Sequence, residues 1–164
     1  MTAVHFVIPD GIDDRTRASG GNAYDRHLCR GRTSIGWSVH EHAVPGCWPR
    51  PDAASYAALD GVVQRIPDDA VVLLDGLVAS TAPDVLLPQA RRLRLVVLVH
   101  MPLGHRPADD GADARMRERA VLSVAAAVVT TSAWSRRRLL ELYSLSADRV
   151  HVAVQLSSLV ADLH

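Results

Sequence analysis

Six short apolar runs rich in β-branched residues punctuate the chain, at Val4–Ile8, Val39–Val44, Val71–Leu74, Leu95–Val99, Ala126–Val129 and Val150–Val154. Four of them are nearly continuous rather than alternating, the pattern of strands buried on both faces of a parallel sheet. Between the runs, Ala23 to Ile35, Ala54 to Ile66, Pro83 to Leu93, Ala114 to Val124 and Trp134 to Tyr143 carry helical spacing. In the second of these, Ala54, Ala58, Val62 and Ile66 recur four apart and predict a buried face. Strand and helix thus alternate five times before a sixth strand. This order predicts an α/β fold: a Rossmann-like, doubly wound, mostly parallel sheet with right-handed crossovers, as a single domain. Boundary residues agree, since Ser19-Gly20-Gly21-Asn22 and Ser132 suit helix starts and Asp68-Asp69 suits a turn before the third strand.

Composition narrows the function classes. The chain has 164 residues, 48% of them apolar, enough for a hydrophobic core without disulfides or metal clips. Its 18 basic and 18 acidic residues cancel, so the electrostatic footprint of a nucleic-acid binder is missing and no nucleic-acid partner is expected. All 18 basic residues are arginine. Without lysine, neither a phosphate-binding P-loop of the Walker type nor a Schiff-base enzyme can be built. Cys29 and Cys47 stand alone, which leaves no zinc ribbon and no C-x-x-C redox pair and fits a reducing, cytoplasmic setting. Met1 to Ile8 ends at Pro9-Asp10 with no basic lead or cleavage site, so no signal peptide is expected, and no apolar stretch approaches the ~18 residues of a transmembrane segment.

Doubly wound sheets bind ligands beyond the carboxyl ends of their strands, where strand order reverses; in a 3-2-1-4-5 arrangement that point lies between the first and fourth strands. Long connections follow the first strand (Pro9 to Ser19), the second (Pro45 to Asp52) and the fourth (Met101 to Asp113). Gly20-Gly21 offers backbone N–H groups to a phosphate or sugar at a helix start, or alternatively only makes the turn. His100 closes the fourth strand before Met101-Pro102 and is the leading candidate for a functional side chain. It suits bonding to a sugar hydroxyl or phosphate, the alternative being a strand-end cap. Asp75, closing the third strand before Gly76, is a second candidate of the same type. His40 and His42 share a strand face, but no further ligands at a suitable spacing complete a metal site. Arg91-Arg92 with Arg94, and Arg136-Arg137-Arg138, read as solvated helix faces, the alternative being contacts to phosphates or an anionic membrane. The absence of G-x-G-x-x-G and G-x-S-x-G argues against an NAD-dependent dehydrogenase and an α/β-hydrolase.

Several passages, in order, resemble the N-terminal, acceptor-side domain of retaining glycosyltransferases of the GT-B fold, group 1 family. They are Gly20-Gly21-Asn22-Ala23-Tyr24-Asp25-Arg26-His27-Leu28, Ile35-Gly36-Trp37-Ser38-Val39-His40, Val96-Val97-Leu98-Val99-His100-Met101-Pro102 and Val128-Val129-Thr130-Thr131-Ser132-Ala133-Trp134-Ser135. The resemblance covers about residues 4–154. It implies transfer of a sugar, of hexosyltransferase type, from a nucleotide sugar to an acceptor hydroxyl with retention. His100 would act near the reacting centre as the catalytic residue, and Gly20, Gly21, Asn22 and Asp75 would bind substrate. No metal and no cofactor beyond the nucleotide-sugar donor are implied.

In that family a second Rossmann-like domain grips the donor, whereas here Val154 is followed by Gln155 to His164. The expectation is therefore a chain inactive by itself, its partners being an acceptor and a C-terminal donor domain that is missing. Residues 155–164 form an atypical tail or a frame scar. Leu156, Leu159, Val160 and Leu163 make an apolar helical stripe in it, suited to folding back or to a homo-oligomer. The alternative function is a free-standing, non-catalytic α/β module that binds a small anionic or sugar ligand, or an assembly subunit.

Overall fold

A computed structural model describes residues 3–11, 38–105 and 111–152. Six parallel strands form one sheet: β1 (Ala3–Pro9), β2 (Ser38–Val44), β3 (Val71–Asp75), β4 (Arg94–Val99), β5 (Ala127–Thr130) and β6 (Val150–Val152). The helices are α1 (Ala53–Arg65), α2 (Gly76–Ala79), α3 (Pro83–Leu86), α4 (Gly111–Val124) and α5 (Ala133–Tyr143), with single 3-10 turns at Pro88–Arg91, Leu103–His105 and Ala147–Arg149. The α/β, Rossmann-like class read from the sequence is what the chain adopts. The helix expected from Ala23 to Ile35, the Gly20-Gly21-Asn22 start and the tail 155–164 lie outside the described residues, as do the last two residues of the sixth run.

The strand order is β2-β1-β3-β4-β5-β6, which corrects the 3-2-1-4-5 expectation. The chain steps from β1 outward to β2, returns past β1 to β3, and then advances one strand at a time. Order therefore reverses between β1 and β3, and the ligand crevice expected at a reversal moves there from between the first and fourth strands. The polar pattern of β2 explains this placement. Ser-Val-His-Glu-His-Ala-Val leaves His40, Glu41 and Ala43 exposed, which an edge strand tolerates and an interior strand does not. By contrast β3 and β5 are buried at every position, and β4 at every position after Arg94.

From β2 onward the crossovers all run the same way, so right-handed connections bring their helices to one face. That face buries Val7, Val44, Val72, Leu74, Val97 and Val128 against Leu59 and Val63 of α1, Leu86 of α3, Val121 and Leu122 of α4, and Leu139 of α5. On the other face Val4, Phe6, Ile8, Leu73, Val96, Leu98 and Val129 form a second buried cluster.

Two helix expectations change. The buried stripe of α1 is Ser55, Leu59 and Val63, one position on from the expected Ala54, Ala58 and Val62, which turns Leu59 inward in place of the smaller Ala58; Ile66, at the cap, is buried as expected. The helix expected over Pro83 to Leu93 breaks into α3 and a 3-10 turn at Pro88, which has no N–H for the helical ladder. One arginine from each run serves the scaffold. Arg92 donates to the carbonyls of Val63 (2.6 Å) and Ile66 (2.6 Å) at the end of α1 and pairs with Asp68 (3.1 Å). Arg136 donates to the carbonyls of Val150 and Ala147, both at 2.9 Å. Asp69 makes the expected turn, with a φ of 63° and its N–H on the carbonyl of Arg92.

Candidate functional site at the carboxyl edge

Asp75 and His100, picked out separately from the sequence, meet at the carboxyl ends of β3 and β4, beside the reversal point. His100 Nε2 stands 3.8 Å from Asp75 Oδ2. That is beyond hydrogen-bond reach but close enough for each group to feel the other's charge. Asp75 is 3% exposed, and its other oxygen accepts from the Leu77 N–H at 2.8 Å, capping α2. The cap fixes the carboxylate's rotamer and leaves Oδ2 facing the histidine. Gly76 makes this possible: a Cβ there would meet the carbonyl oxygen of Leu98 at 2.8 Å, so only glycine lets the chain turn this tightly against β4.

His100 is held through its backbone. Ser132 caps α5, as expected, by accepting the Ser135 N–H (3.1 Å), and the Ser135 hydroxyl donates to the carbonyl of His100 (3.0 Å). The start of α5 is thereby tied to the end of β4. Burial pushes the His100 pKa below its ordinary value, and the neighbouring Asp75 carboxylate opposes that shift. Desolvation is the larger cause, so the imidazole is neutral at pH 7, with one nitrogen donating and the other accepting.

The turn after His100 rests on Glu118, a residue the sequence reading did not select. Glu118 is 0% exposed. Its Oε2 accepts the Leu103 N–H (3.0 Å), and its Oε1 accepts the Gly104 N–H (3.3 Å) and the Tyr143 hydroxyl (2.6 Å). Arg115 Nε closes the ring by donating to the carbonyl of Gly104 at 2.8 Å. Burial and the bond to Glu118 drive the Tyr143 phenol far above its ordinary pKa, so it stays a donor. The available signal was faint: Glu118 falls four and three residues before Leu122 and Val121, on the apolar side of an otherwise charged helix. Ser135 and Gly76 carry no signal that separates them from ordinary helix-start residues.

Gly20, Gly21 and Asn22 lie outside the described residues, and the long connection after β1 is described only as far as Gly11. The one after β2 folds onto the domain, where Trp48 donates to the carbonyl of Val44 (3.2 Å) and meets Tyr56 edge-on. His40 and His42 lie in the middle of β2, which β1 separates from the strand that carries Asp75. Among the described residues no three histidine, cysteine or acidic side chains are arranged to hold a metal ion. None of the described helices is long and apolar enough to cross a membrane.

The arrangement offers a neutral imidazole with a fixed carboxylate beside it at the carboxyl edge of the sheet. It can give and take hydrogen bonds from a polyhydroxylated ligand and can accept a proton, the resulting imidazolium being stabilised by Asp75. No family model matches the chain, and no curated protein matches it either.

Proposed function

We propose that this domain is the acceptor-side half of a retaining, GT-B-type glycosyltransferase, and that His100 and Asp75 face the sugar that is transferred or the hydroxyl that receives it. The observation that carries the reading is the convergence of Asp75 and His100, 3.8 Å apart, at the carboxyl edge next to the point where strand order reverses. The sequence resemblance adds the reaction class. A neutral imidazole suits sugar hydroxyls, which both donate and accept, better than it suits a phosphate. In this reading His100 contacts substrate, while Asp75 stabilises its protonated form and Glu118 and Ser135 position the segment that carries it. The nucleotide sugar is gripped by a second Rossmann-like domain that closes over the crevice, and holding donor and acceptor together supplies much of the rate.

The test is ligand-observed NMR on the chain with a panel of simple glycosides and with nucleotide sugars, comparing wild type with His100→Ala and Asp75→Asn. Saturation transfer to a glycoside that is lost in His100→Ala and weakened in Asp75→Asn is the expected result, with little transfer to the nucleotide moiety. Equal transfer in all three proteins removes the site. Strong, His100-dependent binding of inorganic phosphate with no glycoside binding favours the free-standing anion-binding module instead.

A further inference from the structure

Three imidazoles gather along the middle of β1 and β2, on the face that α1 covers. The sequence shows only His40 and His42. The parallel register sets His5 of β1 beside His40 and two residues before the pair Val7 and His42. His5 Nδ1 and His42 Nε2 are 2.9 Å apart, a hydrogen bond in which one ring donates and the other must be a neutral acceptor. His5 also stacks on both neighbours, with ring centroids 4.9 Å from His40 and 5.2 Å from His42. His40 Nε2 contacts the Ser38 hydroxyl at 3.2 Å.

We propose that the hydrogen-bonded pair His5–His42, on which His40 stacks, forms an acid-sensitive seam that joins edge strand β2 to β1 when neutral and loosens it as the pH falls through the histidine range. A second proton on the His5–His42 pair takes away the acceptor lone pair and leaves two N–H donors facing each other. Among the described residues the surroundings do not offset this. On β2 the nearby groups are His40, itself cationic when protonated, and Ser38. On β3 the residue beside His5 is Val72, and from the last turn of α1 the group that acts on His42 is Arg65, another cation. Glu41 alternates to the opposite face of the strand. Burial and these neighbours together lower the proton affinity of His5 and His42.

The sign follows from linkage. The folded chain binds these protons less readily than the unfolded chain, so the seam contributes fully above the ordinary histidine value of 6.5 and is lost as the pH falls below it. Because β2 has a neighbour on one side only among the described residues, the loosening is local to that edge.

The experiment is an imidazole NMR titration of the wild-type chain with a chelator present, together with amide exchange at about pH 7.5 and about pH 5.5 on wild type and His5→Gln/His42→Gln. Glutamine keeps a donor and an acceptor but does not titrate. In wild type, His5 and His42 should titrate below 6.5 and as a coupled pair. Protection factors of the amides bridging β1 and β2 should fall at least about threefold relative to those bridging β3 and β4 on acidification. That differential fall should vanish in the double variant. Independent titration of both histidines at the ordinary value overturns the proposal even if the variant does not fold, and so does an equal loss of protection at both seams. None of these readouts involves His100, so the outcome is separate from that of the sugar-binding test.

Discussion

Replacing Glu118 by glutamine tests how the candidate site is held, because the substitution keeps the side chain's shape while changing what it can accept. The carboxylate takes three protein donors, the N–H groups of Leu103 and Gly104 and the Tyr143 hydroxyl. Glutamine has one oxygen. Placed where Oε1 now stands, it keeps Gly104 and Tyr143, and its amide nitrogen then points N–H groups at the N–H of Leu103. Losing one charge-assisted bond costs about 1.5–3 kcal/mol, and stranding a buried donor adds about 1–3 kcal/mol. The neutral amide also escapes the cost of keeping a charge out of water, so the net loss should be about 2–4 kcal/mol, a large share of the roughly 5–15 kcal/mol that holds a domain together.

Urea unfolding followed by tryptophan fluorescence measures the loss as a lower midpoint at an unchanged slope. Tyr143→Phe should cost about 1.5–2 kcal/mol, and the double variant should cost less than the sum of the two, since the partners share one network. A Glu118→Gln loss under about 0.5 kcal/mol would refute the reasoning, since it would mean that the carboxylate does not anchor the turn after His100.

Gly76→Ala should destabilise by about 1–3 kcal/mol, because the new methyl meets the backbone oxygen of Leu98 at 2.8 Å, which cannot swing away as a side chain would; unfolding midpoints check it. Arg92→Lys should lose about 1–3 kcal/mol despite keeping the charge, since an ammonium cannot span the carbonyls of Val63 and Ile66 and Asp68 as the guanidinium does; a stability equal to wild type would argue that these carbonyls are well hydrated. The His100 imidazole, lowered by burial, should titrate below 6.5, and Asp75→Asn should lower it further by removing the opposing charge; an upward shift would reverse the assignment of causes. Tyr143, raised in the fold, makes its contribution in full below the ordinary phenol value of 10.0, and that contribution is lost as the pH climbs past it, so a stability loss above about pH 10 should be present in wild type and absent from Tyr143→Phe.

How much of this could be read from the letters depends on whether a feature is local. β3 and β4 were legible because strands packed on both sides write their burial at every position, as Val-Val-Leu-Leu and Leu-Val-Val-Leu-Val do. Asp75 and His100 were legible as polar residues ending such runs. Their proximity was not, since it depends on β3 and β4 being neighbours and on Gly76 admitting the close turn. The edge position of β2 was written in His-Glu-His and was overlooked in favour of a generic strand order. His5 escaped notice for a related reason: a parallel pair brings together residues 37 apart, and no spacing rule detects that. The break at Pro88 was also local and was there to be read; apolar spacing outweighed the missing N–H.

The three ties at the carboxyl edge come from different elements. α2 fixes Asp75 through its cap, α5 fixes the His100 carbonyl through Ser135, and α4 fixes the following turn through Glu118. Each tie uses a hydrogen bond to backbone, which sets position without using the imidazole nitrogens or Asp75 Oδ2. Three backbone ties from three elements thus restrain the segments that carry Asp75 and His100 from both sides, the redundancy that a preorganised site calls for. Removing a single tie, as in Ser135→Ala, should therefore leave the His100–Asp75 separation in place and weaken ligand binding by much less than His100→Ala. Equal losses in the two variants would show that the ties act as one unit and not as independent supports.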